Sequence, residues 1–211
     1  MAEYRTLAGE GQAELIIEKS RFIGYARAVS SREEADAFFA EIKTEHKTAT
    51  HCVPAFALGE KRELLWASDD GEPQGTAGAP LLALFGSLDL ANVCLMVVRY
   101  FGGVKLGTGG LVRAYTEAAK RAVCAAGIAV VREAVLLRYE IEYPHWDRVK
   151  NALDVAGEAV ADVVYTEKVG FTVTPVVADA EKIRERIEAL TSGGAVLREI
   201  RRTESVVPVR G

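Results

Sequence analysis

The chain has 211 residues, 49% of them hydrophobic and 27% charged, a balance that can fill the cores of two ordinary domains. Its formal net charge is −4, and cutting near Val131 leaves −2 on each half (14 basic against 16 acidic residues, then 12 against 14). That excludes the broad positive field of an unspecific nucleic-acid binder, so any contact with RNA must use a local patch.

Cys52, Cys94 and Cys124 are too few and too widely spaced for a disulfide framework or a CxxC zinc site. The opening MAEYRTLAGE is polar, and no apolar run approaches the roughly 20 residues of a membrane span. A cytoplasmic protein without a membrane segment is expected.

In chain order, AELIIEKS and RFIGYARAV alternate like two strands, with a turn at Lys19 and Ser20. Ser30 or Ser31 then caps a helix on which Ala35, Phe38, Phe39 and Ile42 recur at helical spacing. THCVPAFAL and RELLWAS read as strands joined through Gly59. The acidic turn SDDGEPQGTAG leads to a short helix opened by Pro80. NVCLMVV is a continuous apolar run of strand length and predicts a strand buried on both faces. After the glycines of VVRYFGGVKLGTGGLVRAY comes a helix over about 111–126, stopped at Gly127. Its apolar face holds Leu111, Tyr115, Ala118, Ala119 and Ala122. From AVLLRYEIEY onward the order is β-α-β-β-α-β, with helices opening at Pro144 and ending before Gly193 and Gly194. That is the ferredoxin-like arrangement, so the fold class is α+β with domains at 1–131 and 132–211.

The glycine-rich stretch matches neither phosphate-binding signature. Thr108 stands where a Walker A loop needs lysine, and the dinucleotide spacing fails at Val112. Two readings stay open: glycines that only shape a turn, or backbone N–H groups at a helix N-terminus flanked by cations, which form an anion site. The acidic stretch divides likewise between turn chemistry and cation ligands, although its spacing is not that of an EF-hand. His51 and Cys52 are adjacent on a strand and face opposite sides, so they form no dyad. Cys94 and Cys124 read as packing residues. No nucleophile elbow or H-E-x-x-H pair occurs. No catalytic constellation, cofactor or tightly held metal is expected.

Together, SDDGEPQGTAGAP and VVRYFGGVKLGTGGLVRAY resemble the signature of the IMPACT family, in its bacterial YigZ-type branch. KSRFIGYA and HCVPAFALG look like two further family segments. The resemblance implies a first domain similar in fold to the second domain of ribosomal protein S five, and a second similar to the last domain of elongation factor G. It implies a non-catalytic, translation-associated protein that binds RNA, the ribosome or a translation factor. On that reading Arg99, Lys105 and Arg113 contact phosphate, and Gly102, Gly103, Gly107, Gly109 and Gly110 admit it closely. Tyr100 and Phe101 stack on a base. Asp69, Asp70 and Glu72 order the facing loop, joined by His51, Gly71, Gly75 and Thr76. The alternative is a metal-assisted hydrolase using His51 with Asp69, Asp70 and Glu72.

Overall fold

The computed structural model describes residues 3–209, which divide into two units. One is Tyr4–Val130 with the chain end from Val207; the other is Val131–Val206 with Glu3. The division falls inside one unbroken strand, β7 (Ile128–Ile141), rather than in a loop.

The first unit contains β1 (Tyr4–Leu7), β2 (Gly11–Ile17), β3 (Ser20–Ala28), α1 (Arg32–Glu45), β4 (His51–Leu58) and β5 (Leu64–Ala67). It continues through α2 (Gly78–Leu88), β6 (Val93–Tyr100) and α3 (Gly107–Ala126). Five strands form a sheet in the order β2-β3-β6-β4-β5, antiparallel throughout. The β2–β3 turn lies at Glu18 and Lys19, one residue earlier than expected. Both have positive φ (45° and 64°), the primed turn geometry whose twist matches that of a hairpin. Ser31 caps α1 by accepting from the Glu34 N–H, while the Glu34 carboxylate accepts from the Ser30 N–H.

β6 explains why the sheet carries two cores. Val93, Leu95 and Val97 face α2 and α3, whereas Cys94, Met96 and Val98 face α1. Helices on both sides leave no wet face, hence the unbroken apolar run.

α3 starts at Gly107, four residues before the expected position, so three of the five glycines lie in its first turn. Propensity misplaces this end because glycine is a poor helix former. Its alanine-rich face lies directly on glycines of the sheet. A Cβ at Gly24 would run into the Ala118 carbonyl oxygen, and one at Gly11 into that of Ala122. Cys124, expected to pack, is exposed, because the helical turn places it outside the stripe of Ala119, Ala122, Val123 and Ala126.

The second unit follows β7 with α4 (Tyr143–Ala156), β8 (Val160–Tyr165), β9 (Val169–Val173), α5 (Val177–Leu190) and β10 (Val196–Pro208). β10 pairs with β7, β7 with β9, and β9 with β8, the strand order of a ferredoxin-like sheet. Leu137, Tyr139 and Phe171 of the sheet meet Trp146, Val149 and Ile183 of the two helices. The chain is thus α+β in both units. No helix among the described residues is long and apolar enough to cross a membrane.

The close approach of α3 to the sheet carries a test. Gly24→Ala should cost about 1–3 kcal/mol, because the added methyl meets helix backbone rather than a movable side chain. Urea unfolding of both proteins measures it, and an unchanged midpoint contradicts the packing account.

Candidate functional site

The acidic loop, the end of β6 and the start of α3 meet around one carboxylate. Arg99 is next after Val97 on the α3-facing side of β6, and its side chain is 6% exposed. Its Nη1 donates to Glu72 Oε1 at 2.6 Å, a carboxylate whose side chain is only 3% exposed. The Tyr115 hydroxyl of α3 donates to the same oxygen at 2.8 Å. Burial, followed by the hydrogen bond to Glu72, pushes the Tyr115 phenol well above its ordinary pKa. Arg99 Nη2 donates to Ser20 Oγ (3.3 Å), which also accepts from the Gly102 N–H (3.2 Å). The guanidinium carbon lies 5.4 Å from the ring centroids of both Phe22 and Phe101.

His51 belongs to the same face. Its Nδ1 is 2.8 Å from the Asp70 carbonyl oxygen, so Nδ1 carries the proton and donates. Its Nε2 then points toward Glu72 Oε1, 3.8 Å away.

The other acidic residues serve the loop. Asp69 accepts from the N–H groups of Gly75 (2.8 Å), Ala77 (3.0 Å) and Gly78 (2.8 Å). It thereby caps α2, whose own N-cap residue Ala77 has no capping side chain. Partial burial raises the Asp69 pKa, but the three N–H donors outweigh it and hold the carboxyl below its ordinary value. Asp70 Oδ2 accepts from the Cys52 N–H at 2.6 Å, tying the loop to β4. Asp70 and Gly71 both have positive φ (47° and 87°), as does Gly75 (77°), and buried Thr76 donates its hydroxyl to the Pro73 carbonyl at 2.6 Å. The three carboxylates answer three different sets of internal donors and do not converge. No group of His, Cys, Asp and Glu able to hold a metal occurs among the described residues.

Bordering this network lies a cavity of about 470 Å³ whose lining includes Glu72, Pro73, Arg99, Phe101, Lys105, Leu106 and Leu111, together with Thr50, His51, Gly107 and Thr108. The α3 N-terminus opens at it, and the N-cap position, Leu106, offers no side-chain acceptor to the first N–H groups. Gly102 is required by close approach, since a Cβ there would strike the backbone of Lys19 and Ser20. Gly103 and Gly107 have positive φ (86° and 67°), and a Cβ at Gly110 would sit 3.0 Å from that of Leu106. Gly109 has neither constraint and borders open space.

The three cations therefore separate. Arg99 is internal, Lys105 is exposed at the cavity, and Arg113 is exposed on α3 outside the cavity lining. The aromatic pair divides as well. Phe101 stays 47% exposed in the cavity wall, whereas Tyr100 packs on the α1 side with its hydroxyl 2.8 Å from His46 Nδ1. Sequence reasoning missed Ser20, Thr50 and Tyr115 as parts of the site. For Tyr115 the signal was its place on the buried face of α3, one turn after the glycines.

Residues 18–123 match the Impact N-terminal domain, and residues 140–193 match a domain of unknown function (DUF1949). YvyE of Bacillus subtilis, an IMPACT family member, is 34% identical over 93% of this chain and 90% of its own length. The chain belongs to the IMPACT family. The IMPACT family member YigZ of Escherichia coli is 32% identical over 80% of this chain and 82% of its own. A crystal structure described as that of a hypothetical protein superposes with a TM-score of 0.59, at 28% identity, over 95% of this chain and 98% of its own. IMPACT membership supports a translation-related regulatory role in general.

Two tests follow from this geometry. Glu72→Ala strands a buried guanidinium and should cost about 3–5 kcal/mol, while Glu72→Leu combined with Arg99→Met should cost clearly less. Urea unfolding of all three proteins checks this, and an equal or larger loss in the double variant overturns it. Asp69 tests pH dependence. A carboxyl held below its ordinary value of 3.8 contributes stability that is fully present above about pH 4 and lost as pH falls through the folded value. Asp69→Ala should therefore lower stability by about 1–2 kcal/mol at pH 7, with the gap to the parent narrowing below pH 4. A gap independent of pH would show that the cap acts without its charge.

Proposed function

We propose that this IMPACT family protein is a non-catalytic, translation-associated factor that contacts RNA, free or on the ribosome, at the α3 N-terminus. The observation that carries this reading is the uncapped first turn of α3, which opens on the cavity with Lys105 exposed at its rim. A helix N-terminus presents free N–H groups and a partial positive charge, both suited to phosphate. The separation of Asp69, Asp70 and Glu72 onto different internal donors disfavours metal-assisted hydrolysis with His51.

Arg99 is committed to Glu72, so two exposed cations remain to neutralise phosphates: Lys105 and Arg113. At about −0.7 per phosphate for single strands, log Kd should change with log salt by a slope of magnitude roughly 1.4. Lys105→Gln with Arg113→Gln should flatten that dependence and leave the melting temperature nearly unchanged, since exposed charges contribute little to folding. Fluorescence anisotropy with a labelled RNA oligomer at several salt concentrations provides the measurement. Undetectable binding by the parent protein at low salt overturns the reading.

A further inference from the structure

The wall and the polar end of the cavity beside the Glu72–Arg99 pair call for different partners. At about 470 Å³ it lies within the usual range for pockets that bury a small organic molecule. Its wall is mainly apolar, with Pro73, Phe101, Leu106 and Leu111 in the lining. Phe101 is 47% exposed, so its ring is open to a further aromatic contact.

At the polar end, two acceptors face each other with no proton between them. Glu72 Oε1 already receives two hydrogen bonds, from Arg99 Nη1 and the Tyr115 hydroxyl. The second oxygen, Oε2, receives none from the described residues. The fully occluded side-chain atoms without a partner are Arg5 Nε, Arg27 Nε, Arg99 Nε and Thr172 Oγ1, so Oε2 is not sealed off. The Glu72 side chain is 3% exposed, and that remainder belongs to the cavity lining. His51 stands beside it. The proton on its Nδ1 is used on the Asp70 carbonyl, which leaves Nε2 with a lone pair 3.8 Å from the Glu72 carboxylate. An O–H or N–H group brought to this end would meet an acceptor on either residue.

The neighbours also set the charge of the ligand. Arg99 at 2.6 Å already neutralises the Glu72 carboxylate, and Lys105 lines the same cavity, so a cationic head gains little. An anion here would face a carboxylate oxygen and an imidazole lone pair, both repulsive. A molecule with no donor would cover the wall but leave both acceptors unsatisfied.

We propose that this cavity binds a small, uncharged aromatic compound through one hydroxyl or N–H donor. The donor meets Glu72 Oε2 or His51 Nε2, and the ring lies against Phe101. The site goes beyond the RNA reading and is separate from it, because it uses the carboxylate end of the cavity and no phosphate.

The test uses the full chain and three probes: β-naphthol, its methyl ether and β-naphthylmethylammonium. Calorimetry should show β-naphthol binding at least about tenfold tighter than the ether, which lacks a donor to a charged acceptor. It should also bind tighter than the ammonium. Phe101→Ala should weaken β-naphthol roughly fivefold while the melting temperature holds, since that ring is half-exposed. A further measurement needs no variant. In protein isotope-labelled at the histidine nitrogens, β-naphthol should move the His51 Nε2 resonance and leave those of His46 and His145, which lie outside the cavity lining. Undetectable β-naphthol binding, equal binding of β-naphthol and its ether, tighter binding of the ammonium, or an unmoved His51 resonance would each overturn the proposal. Selective β-naphthol binding by a chain that binds no RNA would support this site and overturn the RNA reading alone.

Discussion

The buried ion pair between Glu72 and Arg99 is the constraint on which this end of the first unit depends. Removing both groups from water costs several kcal/mol per ion, and Coulomb attraction offsets that only with good geometry and further hydrogen bonds. Here those bonds come from Tyr115 on the carboxylate and Ser20 on the guanidinium. Four segments are thereby fixed to one another: the acidic loop, β6, α3 and the start of β3. The cost is asymmetric, since losing either charge strands the other in the interior. The loop that carries Glu72 consequently has no cheap alternative position.

The remaining charges of the two long motifs divide between internal and external work. Asp69 closes the N-terminus of α2, and Asp70 fixes the loop to the β4 backbone. The N-terminus of α3 receives no comparable carboxylate, although an acidic loop passes close enough for Glu72 to reach Tyr115 on the same helix. Acidic side chains thus stabilise the fold at α2 and β4, whereas the first turn of α3 has no side-chain cap.

Much of the architecture was legible in the sequence because local signals agreed with the tertiary answer. The apolar run of β6, the Ser31 cap and the β-α-β-β-α-β order each rest on short-range chemistry. Arg99 illustrates what was not legible. Its neighbours and the nearby cations suggest a phosphate contact, but strand alternation places it with Val93, Leu95 and Val97 under α3. Parity alone separates it from Tyr100, whose side chain belongs to the opposite core. The partner that makes burial tolerable lies 27 positions away on a loop, beyond any periodicity. The start of α3 was hidden for another reason. Gly107, Gly109 and Gly110 resist helix formation in isolation, and tertiary packing of the alanine-rich face overrides that preference.

That packing also bears on binding. Gly11 and Gly24 bring the sheet against the Ala118 and Ala122 region of α3, so the helix cannot shift toward the strands without a backbone clash. Nearer its start, Tyr115 is held by the buried carboxylate and packs edge-on against Phe22 at 5.3 Å. Two separated anchors on one helix fix both its height above the sheet and its rotation. The first turn of α3, whose Gly107 and Thr108 line the cavity, is therefore held in place by the folded core.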